Sequence, residues 1–252
     1  MRNASVLETI RLLLLLCLVM TPNEAGAFSP VHHQLQIELE PSRNFARIED
    51  TIQFKNSQEN CGPFYLHSNL KLDKIPTDWK VKILHGLLKI EFIKSRSTIC
   101  PETLRLNYSG ILHDPFLGPD ALIDSNGFFF SGESYFYPRS KKLFQKVTFE
   151  MQVLLPEPWQ VVSQGQRYGD QLLEARRIVS WKSSRPAEEI YLIGNKFHVY
   201  ETAQNGLSLY AFFLQQEEAL ASRYFQAAKG YIDFYSKLIG PYPYEKFALI
   251  EN

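Results

Sequence analysis

The chain has 252 residues, with 27 Lys and Arg against 27 Asp and Glu, so its formal charge is zero. That balance gives no clustered cationic footprint of the kind that nucleic acid or anionic lipid requires. Hydrophobic residues make up 45% and charged residues 21%, the composition of a folding chain rather than a disordered one.

Arg2 and Arg11 precede an unbroken apolar run over 12–20, followed by Thr21-Pro22 and the small residues Ala25-Gly26-Ala27. This pattern reads as a secretory signal peptide over 1–27, with the mature chain starting at Phe28. The apolar run is too short for a membrane span, which needs roughly 20 residues. Cys17 leaves with the leader. Export then changes how Cys61 and Cys100 read, because two thiols in an oxidising compartment are more often a bridge than a reactive pair. Closing that loop stabilises a fold by roughly 4 kcal/mol on a chain-entropy estimate. Asn107-Tyr108-Ser109 fits a glycosylation sequon, which carries meaning only in a eukaryotic secretory pathway.

Leu35, Ile37 and Leu39 alternate with polar residues, which predicts a strand ended by Pro41-Ser42. Ile48, Ile52 and Phe54 predict its partner. Further short runs follow over 64–72, 79–84, 88–93 and 104–112, with His85-Gly86 as a tight turn. Later runs are 147–155, 160–165, 178–181 and 190–193. The runs 197–202 and 207–214 flank Ala203-Gln204-Asn205-Gly206, a hairpin signal because Asn-Gly tolerates positive φ. Roughly a dozen strands with turns between them predict a mainly β, two-layer antiparallel sandwich.

The period changes at Gln215. Leu220, Tyr224, Ala227, Tyr231, Phe234 and Leu238 recur at helical spacing, Glu217 and Glu218 complement the helix dipole, and Gly240-Pro241 stops the helix. A buried-strand pattern follows over 247–250, and Asn252 is the last residue. A single helix and strand after a sheet domain leave a helical face and a strand edge with nothing to cover them. The expectation is that this tail packs on polypeptide beyond the chain; the alternative is that the helix and strand dock on the sandwich, since sequential elements often pack together.

Chemical signatures are sparse. The sequence has no Gly-x-Ser-x-Gly elbow, no phosphate-cradling loop, no Cys-x-x-Cys and no His-Glu-x-x-His. His32 and His33 are neighbours, which on a strand point to opposite faces and cannot chelate one ion together, so both read as ordinary surface or turn residues. Glu188-Glu189 reads as a solvated turn, since sequence neighbours do not face one another across a scissile bond. The densest segment is Gly127-Phe128-Phe129-Phe130-Ser131-Gly132-Glu133-Ser134-Tyr135-Phe136-Tyr137-Pro138. A carboxylate in such an aromatic run either takes an ion-pair partner or faces a cleft, because desolvating it alone is costly. Both readings of Glu133 stand at this point.

That segment and the tail together resemble the aminopeptidase N family of zinc metallopeptidases. His33-Gln34-Leu35-Gln36-Ile37-Glu38-Leu39-Glu40-Pro41 is similar to the family's first strand, and Leu155 through Gly165, with its Pro, Trp and Val-Val-Ser-x-Gly, to a strand pair of the same domain. Ile190-Tyr191-Leu192-Ile193-Gly194 and Phe197-His198-Val199-Tyr200-Glu201 are similar to its closing strands. Gly240-Pro241-Tyr242-Pro243-Tyr244-Glu245-Lys246-Phe247 resembles the start of its thermolysin-like domain. The resemblance implies a saddle-shaped antiparallel β-sandwich over 28–214, capping a peptide-binding cleft, and the first helix and strand of a truncated catalytic domain over 215–252. In that family two His of His-Glu-x-x-His and a later Glu hold zinc, and the first Glu is general base to a zinc-bound water.

None of those ligands is in this sequence, so zinc is expected only in a full-length protein, with no cofactor in this chain and no activity from it alone. Glu251-Asn252 does not match the family's Gly-x-Met-Glu-Asn, lacking its Gly and Met. Glu133 is the residue the resemblance carries over, as a substrate-binding group near the pocket for a peptide's amino terminus. The implied partners are a peptide or protein substrate and the missing catalytic domain, with no nucleic acid and no membrane span after signal cleavage. The expected location is secreted or periplasmic. The alternative is a secreted non-enzymatic β-sandwich module that holds carbohydrate or a protein partner on exposed aromatic side chains.

Overall fold

The computed structural model describes residues 31–54, 62–93, 101–112, 121–141 and 145–251. The signal-peptide reading over 1–27, Phe28, Cys61 and Cys100 lie outside the described residues.

The first strand, β1 (Val31–Glu40), turns through a single 3-10 turn at Pro41–Arg43 and returns as β2 (Phe45–Phe54). Asn44 closes that turn in the left-handed region at φ 55°, a conformation its short polar side chain tolerates. Ile37 pairs with Ile48, so the apolar alternation of both strands falls on one face. β7 (Thr103–Ile111) continues the sheet beyond β2, and β4 (Leu70–Leu72) forms that edge. On the other side β11 (Val147–Pro156) pairs parallel to β1, and β14 (Arg176–Ala187) and β13 (Gln166–Leu173) complete seven strands.

Two four-stranded sheets meet the same core. One has the order β10 (Arg139–Ser140), β3 (Phe64–His67), β6 (Leu87–Phe92), β5 (Trp79–Leu84). The other runs β12 (Gln160–Val162), β15 (Leu192–Asn195), β9 (Gly127–Phe130), β8 (Ala121–Asp124). Leu35, Ile37, Met151 and Trp181 from the large sheet join Phe64, Ile90, Phe130 and Leu192 from the small ones in one buried cluster. The mainly β sandwich read from the alternation is the observed fold, with one parallel pair at the middle of its large sheet.

His33 corrects the sequence reading. It is 1% exposed, its Nδ1 lies 2.8 Å from Asp50 Oδ2 on β2, and its ring meets Tyr137 edge-on at 5.2 Å. His32 points to the other face, where its Nδ1 is 2.9 Å from Thr148 Oγ1. The two histidines do part as adjacent strand residues must, but the inward one is a core residue with a buried partner.

The third unit joins the chain's last elements. β16 (His198–Gln204) and β17 (Leu207–Phe213) form the hairpin expected around Asn205-Gly206, and β18 (Lys246–Ile250) pairs parallel to β17. The connection between β17 and β18 is the helix α1 (Glu218–Ile239). A division of the chain at 214 therefore falls between two strands that pair. β17 is buried on both faces: Tyr210 and Phe212 join the main core, while Leu209, Ala211 and Phe213 pack against Ala221, Phe225 and Ala228 of α1.

The stripe that helical spacing picks out is for the most part left bare, as expected of an uncovered helical face, and of its residues Leu220 packs on the cluster beneath the helix. Tyr224, Tyr231, Phe234 and Leu238 are 45%, 66%, 59% and 67% exposed. The packing stripe is offset by one position and built on Ala221 and Ala228, whose small side chains bring the helix close to the sheet and carry little weight in a hydrophobicity pattern. The edge of β18 away from β17 has no strand partner among the described residues.

Candidate functional site

Between β9 and β10 the chain makes one 3-10 turn at Gly132–Ser134. Ser131 caps it, its Oγ accepting from the Glu133 backbone N–H at 3.1 Å, and the Ser134 hydroxyl donates to the Ser131 carbonyl at 2.7 Å. Tyr135 leaves the turn in the left-handed region at φ 49°. Behind the turn Phe128 stacks on Phe130 at 5.1 Å, Phe130 on Phe136 at 5.2 Å, and Phe136 meets Tyr137 edge-on at 5.0 Å. The aromatic run is thus the floor of the turn, and Glu133 is its outward member.

Glu133 takes a partner and stays open. Its Oε1 lies 2.5 Å from Arg139 Nη1, while its side chain is 67% exposed. In high dielectric such a pair adds little stability, so it orients the carboxylate more than it anchors the fold.

The residue that fixes the turn is Glu189, which the sequence reading left in solvent. Its Oε2 accepts the Gly132 N–H at 2.6 Å and its Oε1 accepts the Tyr191 hydroxyl at 2.5 Å. That second bond, with burial and the carboxylate charge adding to it, pushes the Tyr191 phenol up to about 12. Gln164 ties in the same strand start, donating to the Glu189 carbonyl at 3.0 Å and accepting from the Tyr191 N–H at 2.8 Å. The Ser163 hydroxyl donates to the Tyr191 carbonyl at 2.6 Å. Tyr137 accepts from the Ile190 N–H at 3.1 Å, and burial pushes its phenol well above the usual range. A Cβ at 132 would overlap the Glu189 carboxylate and stand 2.9 Å from Arg139 Cζ, so any larger residue there displaces those side chains. Glu188, by contrast, is the solvated residue expected, 83% exposed and 3.1 Å from Lys146.

On the other side of Glu189 and Tyr191 lies a cavity of about 480 Å³, walled also by Gln164, Arg185, Tyr244 and Lys246. Burial holds the Lys246 ammonium down at about 8, and its Nζ sits 5.1 Å from the centre of the Trp181 indole. Among the described residues no three His, Cys, Asp or Glu side chains gather as a metal centre needs, so the donor set present does not fit a catalytic zinc. No described helix is long and apolar enough to cross a membrane.

No model of a known protein family matches the sequence. No curated protein matches it either. Solved structures do: two crystal structures of an M1 zinc metallopeptidase from Deinococcus radiodurans, one of them a mutant bound to a Tyr-Ser-Ala substrate, each superpose with a TM-score of 0.60 at 13% identity. Each match covers 88% of this chain and 56% of the peptidase, so the chain spans little more than half the length of those structures. At this identity the likeness is one of fold, and it is the fold that the resemblance to the aminopeptidase N family implies: over most of its length the chain is built as part of an M1 zinc metallopeptidase is built.

Proposed function

We propose that this chain is the N-terminal portion of an exported, aminopeptidase-like zinc metallopeptidase, and that its sandwich caps the cleft in which a peptide binds. The observation that carries the reading is the match to the M1 peptidase over 88% of the chain, at a coverage of 56% of that protein. The bare aromatic stripe of α1 supports it, because contiguous exposed apolar surface marks a face that packs on further polypeptide. Under this reading the sandwich belongs to 28–214 and the helix and last strand begin the catalytic domain.

Glu133 is the substrate-binding group of the proposal. A carboxylate held outward on a braced turn has the reach to receive a peptide's ammonium terminus, and Arg139 orients it. The chain's own residues thus position substrate. Among the described residues the donor set does not fit zinc, and no bond-breaking step is assigned to these residues.

Two measurements test the reading. The purified chain is expected to release nothing from an aminoacyl-anilide, and chelator-sensitive turnover by it would overturn the proposal. The coding sequence past codon 252 is expected to continue into Gly-x-Met and then His-Glu-x-x-His; a stop codon there in independent isolates would favour a freestanding secreted module instead.

A further inference from the structure

We propose that Lys246 is a covalent modification site, an amine at the wall of the 480 Å³ cavity that condenses with small aromatic aldehydes. The inference does not depend on the chain's being part of a peptidase. It begins with what Lys246 lacks: no carboxylate among the described residues forms an ion pair with its Nζ, although three stand around the cavity. Glu188 is taken by Lys146 at 3.1 Å, and Glu189 by the Gly132 N–H and the Tyr191 hydroxyl. Glu245, the preceding residue, points its carboxylate to within 3.8 Å of Arg185 Nε. What lies under the ammonium instead is the Trp181 indole, buried and 5.1 Å from Nζ to ring centre.

An ammonium removed from water without a counter-charge loses its proton more readily than an exposed one. Lys246 falls to about 8, where burial is the largest cause and the Glu245 charge opposes it. Near neutral pH a sizeable share of the side chain is then the free amine, which is the nucleophile. The cavity that Lys246 lines supplies the other requirement, room for a reagent. Tyr191 and Tyr244 are aromatic walls that suit a flat ring.

The reaction balances without a co-reactant. The Nζ lone pair attacks the carbonyl carbon and a C–N bond forms. The carbonyl oxygen then leaves as water, carrying both protons that the amine nitrogen gives up, and a C=N bond remains.

The test is competitive labelling of the whole chain with substoichiometric benzaldehyde, trapped by cyanoborohydride and read residue by residue in a mass spectrometer. Lys246 is expected to label about tenfold faster than the exposed Lys74 and Lys237 at pH 7.5, allowing for the lower nucleophilicity of a less basic amine. Its pH profile is expected to bend near 8 and to lose the advantage in urea-unfolded chain. Labelling of Lys246 no faster than Lys74, its protection from labelling, or an advantage that survives unfolding would each overturn the proposal.

Discussion

Glu189 accepts the backbone N–H of Gly132 at 2.6 Å across 57 positions of sequence, and through that bond the connection between β14 and β15 holds the turn that carries Glu133. Glu189→Ala leaves the Gly132 N–H and the Tyr191 hydroxyl without their acceptor. The expected loss is about 1–3 kcal/mol in urea unfolding, with faster amide exchange at 132–134. In the same variant the Tyr191 phenol is expected to titrate closer to the usual range than its present value of about 12, as ultraviolet titration would show. Unchanged exchange at the turn would mean that Glu189 does not hold it.

Breaking the buried pair of His33 and Asp50 from the histidine side is expected to be costly. His33→Phe leaves a carboxylate in the core, and Asp50 Oδ1 already has no hydrogen-bond partner among the described residues. A loss of about 3–5 kcal/mol follows from stranding a buried charge. Adding Asp50→Leu to His33→Phe removes the stranded charge and is expected to recover much of that loss, which a double-mutant cycle in urea measures. Equal losses in the single and double variants would count against the pair.

The two faces of α1 are expected to respond in opposite ways. Phe225→Ala opens a hole beneath β17 and is expected to cost about 3–4 kcal/mol. Tyr231→Ser and Phe234→Ser, at 66% and 59% exposure, are expected to change stability by no more than about 0.5 kcal/mol while lowering the binding of an apolar dye. A large loss from the serine variants would show that the exposed stripe is packed.

Lys246 gives stability a pH dependence of fixed sign. Its ammonium is held at about 8 against an ordinary 10.5, so between those values the folded chain binds fewer protons than the unfolded one and stability rises with pH. The rise is on the order of 2 kcal/mol. Above about 10 the trend reverses, because Tyr191 and Tyr210 are held up to about 12 in the folded chain and their phenols ionise first when it unfolds. Lys246→Met is expected to abolish the rise and keep the fall, as denaturant midpoints from pH 7 to 11 would show.

Strands that bury one face were legible in the sequence because alternation and burial are there the same thing: the alternation of Leu35, Ile37 and Leu39 is the buried face of β1, and the run expected over 147–155 is β11 with one residue added. β13 was not, since nearly all its residues face solvent and no alternation marks it. The run over 64–72 splits at Ser68 and Asn69 into β3 and β4, which belong to different sheets, and no local pattern records which sheet a strand joins. At the candidate site the aromatic run and Glu133 stand out by composition. Glu189 does not, because its role depends on Gly132 and Tyr191 arriving beside it in the fold, and a pair of neighbouring glutamates reads as solvent-facing.

The parallel pairing of β1 with β11 also governs the order of assembly. His32 and Thr148 are 116 positions apart yet touch, so the middle of the large sheet cannot zip up until the ribosome has delivered both. Until then β1 and β2 present an unpaired hydrogen-bonding rim to every neighbour in the cell, and a long loop must close before that rim is covered. Slow maturation is therefore the expectation that the strand order itself carries.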